Sequence, residues 1–258
     1  MTITEILKRI DTAKGLDFGF IFNSTIELFK KVWVQGLVII LLNIVLVIPV
    51  IMIVYIPLIS MGIFAGFGSS YSSYSQPDTA ISMLLIITLI VLYIFAIITM
   101  STIAFGLKTA FYRICKIKDL DEAGKEDYFY FFKKPYLSKT IKISLAYVGI
   151  SLLATLLCFL PIIYAIVPLS YMFVIYAFNP DKSISEIINL SFKLGHKKWL
   201  ISFGLLLVSS LLAQIIGIIM CVIGVFFIAS FAYLPPYFVY KEVIGFEEES
   251  NIKQIELV

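Results

Sequence analysis

Formal charge is scarce in this chain and almost missing from three long stretches of it. Residues 32–107 carry one ionised side chain, Asp78, while 143–179 and 199–240 carry none. Proton relays and ion-coupled transport sites usually keep ionisable groups at membrane depth in spite of their cost, and no such group falls inside the spans proposed below. Histidine is nearly missing too. His196 is the single one, so a metal centre built on two or three imidazoles is not expected. The three cysteines, Cys115, Cys158 and Cys221, are odd in number and have no paired spacing. A Cys158–Cys221 disulfide is not expected, and isolated thiols in apolar helices act as small hydrophobes. G-x-S-x-G, P-loop, CxxC and HExxH motifs do not occur. Met1 to Lys31 is charged throughout and lacks the apolar core and small-residue cleavage site of a signal peptide. The first span is therefore expected to direct its own insertion.

What remains is apolar. Hydrophobic residues make up 60% of the 258, and the mean hydropathy is +1.01, well beyond the roughly half-apolar composition of soluble domains. A spanning helix needs about 20 consecutive apolar residues to cross about 30 Å of hydrocarbon, and several blocks exceed that length. All twenty Lys and Arg residues fall in 1–31, 108–142, 180–198 and 241–258. Under the positive-inside rule these four stretches share the cytoplasmic face, so each intervening block must cross an even number of times.

As one helix, 143–179 would run about 55 Å, so it must fold back, with a turn near Pro161, which lacks an amide donor. The block 200–240 forms a second hairpin around Gly217 to Gly224, and 34–107 a looser one. Its Gly/Ser/Tyr-rich linker from Phe67 to Ala80 is placed outside. The expected fold is an all-α integral membrane bundle, one polytopic domain over 1–258. Its six transmembrane helices lie at roughly 34–59, 82–107, 141–160, 162–179, 200–219 and 221–240, in three hairpins. A four-span alternative makes 143–179 a re-entrant pair. Both termini are cytoplasmic, and two sequons, at Asn23 and Asn189, fall on that same face.

Each hairpin is expected to follow an amphipathic interfacial helix. Ser24-Thr25-Ile26-Glu27 has the S-x-x-E form of a capping box and leads through Phe29 to Lys30, Lys31 and Trp33. Ser183-Ile184-Ser185-Glu186 has the same form and leads to Lys197, Lys198 and Trp199. The middle hairpin follows an aromatic run, Tyr128 to Phe132, then Lys133, Lys134, Pro135 and Tyr136. The extreme N-terminus, with Ile3, Ile6, Leu7 and Ile10 on one face, is expected to form a fourth such helix. Trp33, Trp199, Lys30, Lys31, Lys197 and Lys198 are expected to act as interfacial anchors, where aromatic rings and lysine stems find favourable depths. The partner they imply is the lipid bilayer, including anionic headgroups near the basic segment 108–142, each cation contributing about 1 kcal/mol near the surface. Five acids offset nine cations there, so specificity for one lipid does not follow.

Asn43 and Gln214 are the strongest polar side chains within the spans, as interhelical hydrogen-bonding groups or as the lining of a path. Ser209, Ala213, Gly217 and Cys221 form a small-residue stripe that permits close helix approach. Pro49, Pro57 and Pro168 lie inside or near spans, a weak pointer to broken helices. No cofactor, metal or nucleic acid is expected.

The stretch from Asp17 to Gly36, the segment Ser183 to Trp199 and the ending Leu234-Pro235-Pro236-Tyr237 together resemble a group of uncharacterised bacterial six-span membrane proteins. That group is related to the membrane domain fused to some glycerophosphodiester phosphodiesterases. The resemblance implies a bacterial inner-membrane location and an architecture, but no catalytic residue. Some look-alikes are labelled carotene monooxygenases. That chemistry depends on iron held by several histidines, and this chain has one. The expected function is a non-enzymatic accessory or membrane-organising component; the alternative is a permease or channel-like subunit with a path lined by Asn43 and Gln214.

Overall fold

The computed structural model describes residues 1–60, 79–157, 160–220 and 223–246. Most of the expected outer linker 67–80, together with Asp78, Cys158 and Cys221, lies outside them. Among the described residues every regular element is helical, without a strand. Five helices are long and apolar enough to cross a membrane: Phe18–Pro57, Ile86–Asp119, Lys134–Leu156, Pro161–Phe178 and Trp199–Ile219. They carry many exposed Leu, Ile, Val and Phe side chains, among them Ile56, Leu84, Leu153 and Ile218. An apolar surface of that extent is compatible with hydrocarbon and not with water.

Helix α1 (Ile3–Thr12) opens with a capping box, the Thr2 hydroxyl accepting from the Glu5 amide and the Glu5 carboxylate from the Thr2 amide. Helix α2 (Phe18–Ser60) follows as one continuous helix of 43 residues, about 65 Å long, passing through Pro49 and Pro57. The separate lead-in helix expected at Ser24 does not exist. Asp17 takes the amide of Phe20 and starts the helix about two turns earlier. Ser24 and Glu27 are then interior positions whose amides already have intrahelical partners, and Glu27 pairs with Lys30 at 2.7 Å instead. Helix α3 (Thr79–Asp119) returns beside α2 over a similar length.

The aromatic run before the middle hairpin forms a 3-10 turn, Tyr130–Phe132, rather than a helix lying in the headgroups. Phe131 is fully buried, its ring centre 4.8 Å from that of Tyr176 with the two planes tilted by 42°. Helix α4 (Lys134–Leu156) begins with Pro135 in its first turn, where the missing amide costs nothing. Helix α5 (Leu160–Phe178) packs against α3, α4 and α6 and is the most enclosed of the five candidate spans, with Tyr171 to Ala177 almost wholly covered.

Helix α6 (Ile184–Lys197) carries the expected capping box between Ser183 and Glu186. It lies along α5, and its apolar residues Ile187, Leu190 and Leu194 face protein, as do Ile6 and Ile10 of α1. Helix α7 (Trp199–Ile219) is followed by α8 (Ile223–Ile228), a 3-10 turn (Ala229–Tyr233) and α9 (Pro235–Val243). The region expected to be a sixth straight span, 221–240, is thus three short pieces, none long enough to cross a bilayer alone. Its last piece, α9, is buried against α2, α5 and α7. Pro235 and Pro236 restart the helix there, because proline fits a first turn but not a helix interior.

Five fully buried tyrosines tie these elements together, and each hydroxyl has a partner. Tyr112 donates to the Tyr233 carbonyl at 2.7 Å and Tyr237 to Asp119 at 2.8 Å. Tyr171 pairs with Ser202, Tyr176 with Thr140, and Tyr240 accepts from the Asn179 amide. A buried hydroxyl without a partner is costly, so these bonds fix which helices can neighbour which.

Candidate functional site

A cavity of about 480 Å³ opens in the apolar part of the bundle. One face of α3 lines it, where Ser101, Ala104, Phe105 and Lys108 recur at helical spacing. Ile39, Ile40, Asn43 and Ile44 of α2 form one wall, and Tyr147 and Val148 of α4 the other. Phe173 of α5 and Tyr233 of the second 3-10 turn close one end.

Lys108 is the single formally charged side chain in this lining. Its Nζ sits 4.1 Å from the centre of the Tyr233 ring and 4.4 Å from that of Phe173. Lys108 is half-buried, and an ammonium over an aromatic face gains about 0.5–2 kcal/mol per contact, which offsets part of its lost hydration. Side chains on a helix lean toward its N-terminus, and here that lean points Lys108 away from the next cations, Arg113, Lys116 and Lys118. Among the described residues Lys108 forms no ion pair and no hydrogen bond, and neither does the Asn43 amide nor the Tyr233 hydroxyl.

By sequence Lys108 belongs to the cytoplasmic charge layer, as the first cation after a long uncharged block. The signal against that was present: Lys108 is five residues ahead of Arg113, about 7.5 Å along the helix, and shares a face with Ser101 and Phe105. Asn43 joins the cavity. Gln214 does not: it is exposed on the outer surface of α7, so the two are not lined up along one path. Ser209, Ala213 and Gly217 are buried as a close-contact face of α7.

The expected anchors divide into two kinds. Trp33 is exposed beside Phe227, and Trp199 stacks on Phe203 at 4.8 Å while donating to the Tyr164 carbonyl. Lys30, Lys31 and Lys197 are exposed, with Lys31 reaching Asp121. Lys198 is different. It is buried, and its ammonium is held by the carbonyls of Ala13 and Lys14, clamping the segment after α1 to the start of α7. Burial, helped by neighbouring Lys197, pulls its pKa below the usual lysine range.

At the basic segment, Glu126 accepts from Lys118 at 2.6 Å and from Gln35 at 3.0 Å, strapping the loop after α3 to both long helices. The Lys118 hydrogen bond holds its carboxyl below the ordinary range, and burial beside Glu126 pushes the Tyr128 phenol up to about 12. Asp119 pairs with Lys241 at 2.6 Å and takes the Tyr237 hydroxyl, fixing the end of α3 to α9. Among the described residues no cluster of three or more His, Cys, Asp or Glu side chains could hold a metal ion. No family model, curated protein or solved structure matches the chain.

Proposed function

We propose that this chain is a non-enzymatic, multi-pass component of a bacterial inner membrane, with both termini cytoplasmic, that organises its surroundings by accommodating lipid. The observation that carries this reading is the make-up of the cavity. Seven of its twelve lining residues are Ile, Val, Phe or Ala, and the rest are one cation, Lys108, and four neutral polar side chains, Asn43, Ser101, Tyr147 and Tyr233. An acid–base or nucleophile–base constellation would need a second ionisable partner within hydrogen-bond reach of Lys108. The resemblance to the membrane domain fused to glycerophosphodiester phosphodiesterases agrees with a supporting role beside another protein. In this reading the polar ends of α1 and α6 and the exposed Trp33 and Lys197 mark the cytoplasmic boundary.

The test is solute flux. Purified protein in liposomes is expected to leave the permeability to ions and small solutes at the level of protein-free vesicles. Saturable flux of a solute, lost on Asn43→Ala, would overturn the reading in favour of a permease.

A further inference from the structure

We propose that the Lys108 cavity is the seat of one phospholipid with an anionic headgroup, its phosphate against the Lys108 ammonium and its acyl chain leaving along Ile40, Ile44 and Val148. This deepens the lipid-accommodating reading and rests on it.

Charge complementarity is the first argument. An ammonium among apolar side chains demands an anion, and the cavity lining contains no carboxylate to supply one. The rings of Tyr233 and Phe173 solvate one side of Nζ and leave its three N–H donors without an acceptor among the described residues. The Asn43 amide and Tyr233 hydroxyl, without a hydrogen bond among the described residues, add neutral donors to the same cavity lining. Phosphate oxygens are the acceptors that fit a compact point charge with neutral donors around it.

The second argument separates a lipid from a free anion. Ile39, Ile40, Ile44, Val148 and Phe173 offer nothing to a hydrated ion but match an acyl chain. The volume of about 480 Å³ lies within the usual range for small-molecule sites, about 300–1,000 Å³, and admits a headgroup with the start of one chain. Both side walls, α2 and α4, rest on α3, and the exposed residues Ile44 and Ala104 mark where the cavity meets its surroundings.

Native mass spectrometry of the full-length protein tests this, with phosphatidylglycerol and phosphatidylcholine of identical chains offered together. One phosphatidylglycerol is expected to be retained in preference. K108Q is expected to bind it about tenfold or more weakly, the loss of one charge-assisted bond, while K108R keeps it. A104W fills the cavity, leaves the charge in place, and is expected to abolish retention as well, which covers the case of K108Q failing to fold. The double variant K30Q/K31Q, whose lysines are exposed outside the cavity, is expected to behave as wild type.

Equal retention of the two lipids, or undiminished phosphatidylglycerol binding by K108Q, would overturn the proposal. So would displacement by inorganic phosphate alone, which would make the site one for a free anion, or a second copy of the chain in place of lipid. Failure here with no solute flux in liposomes would leave the accessory reading standing and remove only the ligand.

Discussion

Gly195 of α6 faces Pro168 of α5 so closely that a Cβ added to the glycine would lie 2.8 Å from the proline Cα. The two helices therefore touch backbone to backbone, and α6 is pressed onto the bundle where sequence alone would place it in the headgroup layer. Gly195→Ala is expected to destabilise the protein by about 1–3 kcal/mol, because neither backbone is free to yield. A lowered midpoint of thermal unfolding in detergent, with α-helical content retained below it, is the measurement; an unchanged midpoint would refute the contact.

Gly36 plays the corresponding part on α2. A Cβ there would come within 2.5 Å of the Ser230 Cβ in the 3-10 turn before α9. Gly36→Ala is expected to lower the unfolding midpoint, and Ser230→Gly in the same chain to restore much of the loss. Additive losses in the double variant would mean that the two positions do not meet.

The Tyr112 hydroxyl holds the Tyr233 carbonyl, and the Tyr233 ring covers Lys108. Tyr112→Phe is expected to cost about 0.5–1.5 kcal/mol by removing this part-buried hydrogen bond. It is also expected to weaken retention of the anionic lipid, since the ring over the ammonium loses its tether. Lipid competition measured on Y112F beside wild type checks this; full retention would show that the ring keeps its place without the bond.

The Glu126 strap gives a pH dependence. Its folded pKa lies below the ordinary carboxylate value, so its contribution is fully present above that ordinary value and lost as pH falls through the lowered one. The difference in unfolding midpoint between wild type and Glu126→Gln is expected to be constant near neutral pH and to vanish in acid. A difference that grew on acidification would reverse the sign and exclude the assignment.

Orientation can be read with single cysteines in a cysteine-free background. A cysteine replacing Lys125 is expected to resist an impermeant maleimide in intact cells and to react in inverted vesicles. One placed at Ser73, in the linker expected outside, is expected to do the opposite. The reversed pattern would invert the topology.

Features of one kind, those set within a single segment, were legible in the linear order of residues. Helix content and apolar lengths follow from side-chain transfer energies, which accumulate along a segment whatever surrounds it, and five helices meet the length and composition of a span. The Ser183–Glu186 box is equally local, since its donors and acceptors lie within one turn. The same local pattern failed at Ser24, where Asp17 started the helix earlier and left the box nothing to cap.

The site belongs to the other kind. Lys108 looked like one more cytoplasmic cation, because the rings that receive its ammonium lie far along the chain, at Phe173 and Tyr233. Phe131 and Lys198 likewise looked like interfacial residues until long-range packing buried them. By itself the sequence determined which segments must leave water, a property of each segment alone. Only the tertiary structure decided which charge goes with them, because that depends on partners that the fold brings together.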